Sequence, residues 1–250
     1  MLHVETYGSG GRPLLILHGL FGSSRNWRAL AKRLAADREI RVADLRNHGK
    51  SPWFERHTYA DMAADLLPFA GDADVIGHSM GGKVAMRLAL EHPGAVARLL
   101  VADMAPVTYD HDQRQYIYAM QGVDLAAVTT RGDADAQLAA AVPEPMVRAF
   151  LLQSLDLGAK RWQLNLDVLE RDMGDILGWD WDGPHFAGPA LFLSGSESDY
   201  VHDTYSPAIE AHFPNAEFHR IEGAGHWLHA DKPEAFLAAV HGFFERSSES

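Results

Sequence analysis

Val75-Ile76-Gly77-His78-Ser79-Met80-Gly81-Gly82 joins a short apolar run to an apolar helical pattern through the motif G-x-S-x-G. A serine on a tight turn between a strand and a helix needs small flanking residues, because its backbone is strained and its neighbours crowd it. The hydroxyl then projects above the end of the sheet, where the helix N-terminus favours developing negative charge. Ser79 is therefore the candidate nucleophile.

Working outward, Leu14 to Leu17 is a continuous apolar run ending at His18-Gly19, as a strand buried on both faces would be. Asn26–Ala36 reads as a helix on the spacing of Trp27, Leu30, Ala31 and Leu34, with Gly22-Ser23-Ser24 as its cap. Ile40–Ala43 is a second strand closed by Asp44, and Tyr59–Phe69 a second helix. Gly82–Glu91 is helical until His92-Pro93-Gly94 stops it, and Leu99–Ala102 is a strand ending at Asp103. Such alternation implies right-handed crossovers, hence an α/β fold with a mostly parallel central sheet flanked by helices. Ligands bind such sheets beyond the carboxyl ends of the strands, where His18, Asp44, Ser79 and Asp103 fall.

The alternation breaks after Pro106. Helical patterns at Gln113–Met120, Asp133–Ala141, Glu144–Leu155 and Trp162–Leu177 predict an inserted helical cap over 106–187, leaving 1–105 and 188–250 as the core. The sheet resumes at Ala190–Ser194 and Glu217–Ile221, and Glu234–Phe244 is the closing helix; the polar tail Ser247–Ser250 is expected to fray.

Composition narrows the class. A chain of 250 residues with 47% hydrophobic and 22% charged residues can bury a sizeable core. The balance of 22 basic against 34 acidic residues, −12 at pH 7, repels phosphate backbones and anionic lipid, so neither nucleic acid nor a membrane surface is an expected partner. There is no cysteine, which removes disulfides, thiolate catalysis and Cys-ligated metals. No signal peptide is read at Met1–Tyr7, and no apolar run approaches the ~20 residues that span a bilayer. The expected location is cytoplasmic. No H-E-x-x-H, P-loop or G-x-G-x-x-G occurs in the required context, so no metal and no cofactor is expected.

A serine nucleophile needs a base, and in this arrangement the chain order is Ser, acid, His. His226, in Gly223-Ala224-Gly225-His226-Trp227 after the last predicted strand, meets that order, with His229 as its rival. Imidazole titrates near working pH, so it can accept and then return one proton. Two positions can supply the acid: Asp103, or the loop Gly195-Ser196-Glu197-Ser198-Asp199 after the next strand. A tetrahedral intermediate also needs an oxyanion hole. Met80 N–H supplies one donor and Leu20 N–H, in His18-Gly19-Leu20-Phe21, the other. Phe21, Trp162 and Trp227 are expected to wall the substrate pocket, among cap aromatics that mostly pack with one another.

Four segments carry a family resemblance: His18-Gly19-Leu20-Phe21-Gly22-Ser23, Asp44-Leu45-Arg46-Asn47-His48-Gly49-Lys50-Ser51-Pro52, Gly77-His78-Ser79-Met80-Gly81-Gly82-Lys83 and Gly223-Ala224-Gly225-His226-Trp227. Together they resemble the small bacterial YbfF-type esterases of the α/β-hydrolase superfamily. The resemblance implies cofactor-free hydrolysis of carboxylic esters and thioesters, and substrates with small to medium acyl groups are expected. It also implies Asp103 as the acid with Ser198 as its helper; Asp199 departs from that pattern by placing a carboxylate next door, and stands as the alternative acid. Ser79 departs from the haloalkane dehalogenases, which carry aspartate there. The competing expectations are a cofactorless C–C bond hydrolase or lyase, and a ligand-binding protein that keeps the triad. The expected partner is a small-molecule acyl ester, and the assembly a monomer or homodimer.

Overall fold

The computed structural model describes residues 1–246. Its central sheet has seven strands in the order β1-β3-β2-β4-β5-β8-β9, named in chain order. These are β1 (Val4–Tyr7), β2 (Leu14–Leu17), β3 (Ile40–Ala43), β4 (Ala73–His78), β5 (Val96–Ala102), β8 (Ala190–Gly195) and β9 (Ala216–Ile221). Every pairing is parallel except β1 with β3. Sequence periodicity does not mark β1, because Val4, Glu5, Thr6 and Tyr7 form a short, mostly half-buried edge with no apolar run.

Side chains alternate across the sheet and build a core on each face. Leu14 and Ile16 pack with Trp27, Leu30 and Leu34 of α1 (Ser24–Leu34) and with Phe236 and Val240 of α11 (Pro233–Arg246). Leu15 and Leu17 turn the other way, toward Met62 and Leu66 of α2 (Tyr59–Ala70) and Val84 and Leu88 of α3 (Met80–Glu91). Burial on both faces explains why β2 reads as a continuous apolar run. Helix α1 begins two residues before the predicted start. Ser23 is its N-cap, with its own N–H donating to Asn26 Oδ1 (2.7 Å). Asp44 accepts from Ser24 N–H (2.6 Å) and Lys50 N–H (2.9 Å), so this strand-end carboxylate braces the loops.

Between β5 and β8 the chain forms α4 (Arg114–Gln121), α5 (Arg131–Leu138), α6 (Pro145–Leu151), α7 (Leu166–Arg171) and α8 (Met173–Leu177). The predicted helices at 144–155 and 162–177 are interrupted. Leu155–Asp156 (β6) pairs antiparallel with Arg161–Trp162 (β7), and Asp172 separates α7 from α8. Two-residue strands have no period to read, which is why the pattern shows only the helices around them. Helix α9 (Ser206–His212) lies between β8 and β9, and α10 (Leu228–Asp231) precedes α11. No helix among the described residues is long and apolar enough to cross a membrane. The tail Ser247–Ser250 lies outside the described residues.

Candidate active site

Ser79 sits between β4 and α3 with φ 54° and ψ −125°, a region strained for a residue with a side chain. Its neighbours must be glycines. A Cβ on Gly77 would lie 2.2 Å from the Gly81 carbonyl oxygen, and one on Gly81 2.5 Å from that of His18. Ser79 N–H donates to the Ala102 carbonyl (3.0 Å), tying the turn to the end of β5.

The loops beyond β5, β8 and β9 converge on this serine. Ser79 Oγ and His226 Nε2 are 3.0 Å apart, and His226 Nδ1 and Asp103 Oδ2 2.6 Å apart. Asp103 is wholly buried; its other oxygen accepts from Gly195 N–H (3.1 Å), and Ser198 Oγ–H donates to Oδ2. Asp199 is exposed and makes no hydrogen bond to His226 among the described residues. Of the two acid positions, the structure therefore brings Asp103 to the imidazole, with Ser198 beside it. His229 is not poised as a base toward Ser79. Its ring stacks on Trp27 (4.4 Å between centroids, 10° between planes), and burial lowers its pKa to about 3. The buried His78, also held well below its ordinary pKa by desolvation, is neutral and donates from Nε2 to the His226 carbonyl (2.8 Å), pinning the histidine loop.

The loop between β2 and α1 is held by two further buried histidines. His18 Nδ1–H donates to the Gly19 carbonyl (2.8 Å), while its Nε2 accepts from Leu45 N–H (3.0 Å). His48 Nδ1–H donates to the Arg46 carbonyl (2.9 Å), and its Nε2 accepts from Phe21 N–H (3.3 Å). Phe21 has φ 63°, so this bond steadies an unfavourable backbone. Desolvation keeps both rings neutral, His48 at about 3, so each can donate and accept at once. A Cβ on Gly19 would lie 3.1 Å from that of Ser79, so the loop approaches Ser79 closely. The N–H groups of Leu20 and Met80 have no acceptor among the described residues, and both residues border the cavity beside Ser79.

That cavity has a volume of about 650 Å³. Phe21 and Trp227 line it, as do Met104, Tyr116, Met146 and Phe150. Trp162 does not. It is buried in the segment between β5 and β8, with Nε1–H donating to the Met120 carbonyl (2.8 Å), because β7 turns its ring inward. Lys83, one turn beyond Ser79, also borders the cavity and is almost wholly buried. It donates to the Leu177 and Gly178 carbonyls (2.7 and 2.8 Å) at the end of α8, and desolvation lowers its pKa to about 7. Among the described residues, no group of three or more His, Asp or Glu side chains is placed to hold a metal. The supporting roles of His18, His48 and Lys83 carry no signal in composition or period, although all three lie within the motifs of the family resemblance.

The arrangement of sheet, serine turn and histidine loop defines a class, and comparison with known proteins agrees. The chain belongs to the α/β-hydrolase fold family, whose model matches residues 12–233, and within it to the YbfF-like esterases, which are carboxylesterase-type hydrolases. It is 38% identical to esterase YbfF of Escherichia coli over 92% of both chains. It is 40% identical to an sn-1-specific diacylglycerol lipase of Xenopus laevis, over 94% of this chain and 80% of the relative. A solved marine microorganism esterase superposes with a TM-score of 0.93 at 36% identity, covering 97% of this chain and 98% of that one.

Proposed function

We propose that the protein hydrolyses carboxylic esters, with thioesters as a second class of acyl donor, through a covalent acyl-enzyme on Ser79. His226 takes the Ser79 proton as Oγ attacks the acyl carbon, and Asp103 orients and stabilises the resulting imidazolium. Leu20 and Met80 N–H groups receive the oxyanion. Collapse of the intermediate breaks the acyl C–O or C–S bond, and His226 protonates the departing alcohol or thiol. Water then attacks the acyl-enzyme, gives its proton to His226, and the acid leaves as that proton returns to Ser79.

The observation that carries this reading is the continuous hydrogen-bonded path from Ser79 through His226 to the buried Asp103, opening on an apolar-walled cavity. A volume of about 650 Å³ suits small to medium acyl groups. In the same proposal 106–187 acts as a cap over the core, the partner is a small-molecule acyl ester rather than nucleic acid or membrane, and the protein works in the cytoplasm as a monomer or homodimer.

The test is turnover of p-nitrophenyl esters of increasing chain length, and of an acyl thioester, by the wild type and by Ser79→Ala. The wild type should hydrolyse both classes, with a rate maximum below the longest chains. Ser79→Ala should lose on the order of 10⁵–10⁶ in kcat. An unaffected Ser79→Ala enzyme contradicts the proposal.

A further inference from the structure

Tyr200 presents the face of its ring to the face of His226, with centroids 3.8 Å apart and planes 19° from parallel. Its placement is fixed from several sides. Its N–H donates to Ser198 Oγ (3.2 Å), the same hydroxyl that donates to Asp103. Its carbonyl accepts from the Tyr109 hydroxyl (2.7 Å), which in turn accepts from Ala105 N–H (2.9 Å). His111 packs edge-on against the ring (4.8 Å, 65°). One short loop thus braces the acid through Ser198 and covers the base through Tyr200.

We propose that Tyr200 is a positioning residue for His226, fixing the plane of the imidazole and favouring its cationic form during proton transfer. This rests on the ester-hydrolase reading, in which His226 becomes imidazolium in both acylation and deacylation. The terminal torsion of a histidine is broad, so a hydrogen bond to Asp103 alone leaves the ring room to rock about that bond. A stacked ring removes that motion. The negative face of the aromatic ring also attracts a cation more than a neutral imidazole, so its effect grows as the proton arrives. The other titratable neighbours of His226 are Asp103, the neutral His78 at 4.9 Å between centroids, and the neutral His229. Asp103 supplies a charge in the ring plane, and Tyr200 an electron-rich face above it.

The experiment compares Tyr200→Leu, Tyr200→Met and Tyr200→Phe with the wild type in steady-state ester hydrolysis and in the rate of fluorophosphonate labelling. Enzyme is counted by the labelling end-point, so that partial misfolding does not pass for slow chemistry. Replacing the ring by Leu or Met should lower kcat by about 3- to 30-fold and the labelling rate by a similar factor, with KM within about twofold. Tyr200→Phe should restore both rates, because the face and not the hydroxyl acts. Wild-type kcat in the Leu and Met variants overturns the proposal. So does a loss confined to KM, which would make Tyr200 a wall of the cavity only, or a Phe variant as slow as Leu. A wild-type enzyme without ester turnover would instead sink the reading beneath it.

Discussion

At the scale of single residues, two neighbouring carboxylates differ by environment alone. Asp103 is enclosed, accepts from Gly195 N–H and Ser198 Oγ–H, and meets His226 Nδ1 at 2.6 Å; Asp199 stands in solvent. Asp103→Asn should therefore cost about 10⁴ in kcat, because an amide favours the wrong histidine tautomer. Asp199→Asn should stay within about twofold of the wild type in the same assay. Reversed losses would move the acid to position 199. Sequence order marks Ser79 and His226, since each sits in a loop whose small residues and place after a strand are visible. It does not choose between the two acids, because strand ends are legible while the reach of a side chain beyond them is not. Only the family resemblance favours Asp103. Trp162 fails as a pocket residue for the same reason: an aromatic in an insertion can face the cavity or its own core.

At the scale of elements, the β4–α3 turn and the β2–α1 loop act as one unit. Because a Cβ at Gly81 would lie 2.5 Å from the His18 carbonyl oxygen, Gly81→Ala should push the two loops apart and abolish both soluble expression and activity. Full activity in that variant would refute the close approach. His48→Ala removes the acceptor of Phe21 N–H, and kcat should fall about tenfold or more as the neighbouring Leu20 N–H, proposed to receive the oxyanion, drifts. The check is kcat measured well below the variant's melting temperature, with KM recorded alongside. The strands β2 to β5 and their helices are legible because burial on both faces writes short apolar runs between amphipathic helices. The two-residue strands β6 and β7 are too short to write a period, and the edge strand β1 is mostly half-buried with no apolar run, so tertiary pairing alone defines them.

At the scale of the whole molecule, burial of neutral bases sets the pH dependence of stability. His18, His48, His57, His78 and His229 are all lowered from their ordinary value by desolvation. Below about pH 6.5 the unfolded chain binds protons that the fold refuses, so stability falls as pH drops, each histidine adding up to about 1.4 kcal/mol per pH unit. The urea midpoint should fall steeply from pH 6.5 toward pH 4. A flat midpoint there would mean these imidazoles are not held neutral. Lys83 acts in the other window. With its pKa lowered to about 7, the unfolded chain binds the extra proton above that pH, so stability gains between pH 7 and about 10.5. Lys83→Met should flatten that gain, and an unchanged slope would contradict it. The central claim, that Ser79 is a nucleophile activated by His226, is tested most directly by intact-mass and peptide mapping after incubation with a fluorophosphonate. The account predicts one phosphonyl group per chain, located on Ser79 and lost in both Ser79→Ala and His226→Ala; no adduct on the wild type, or an adduct elsewhere, would contradict it.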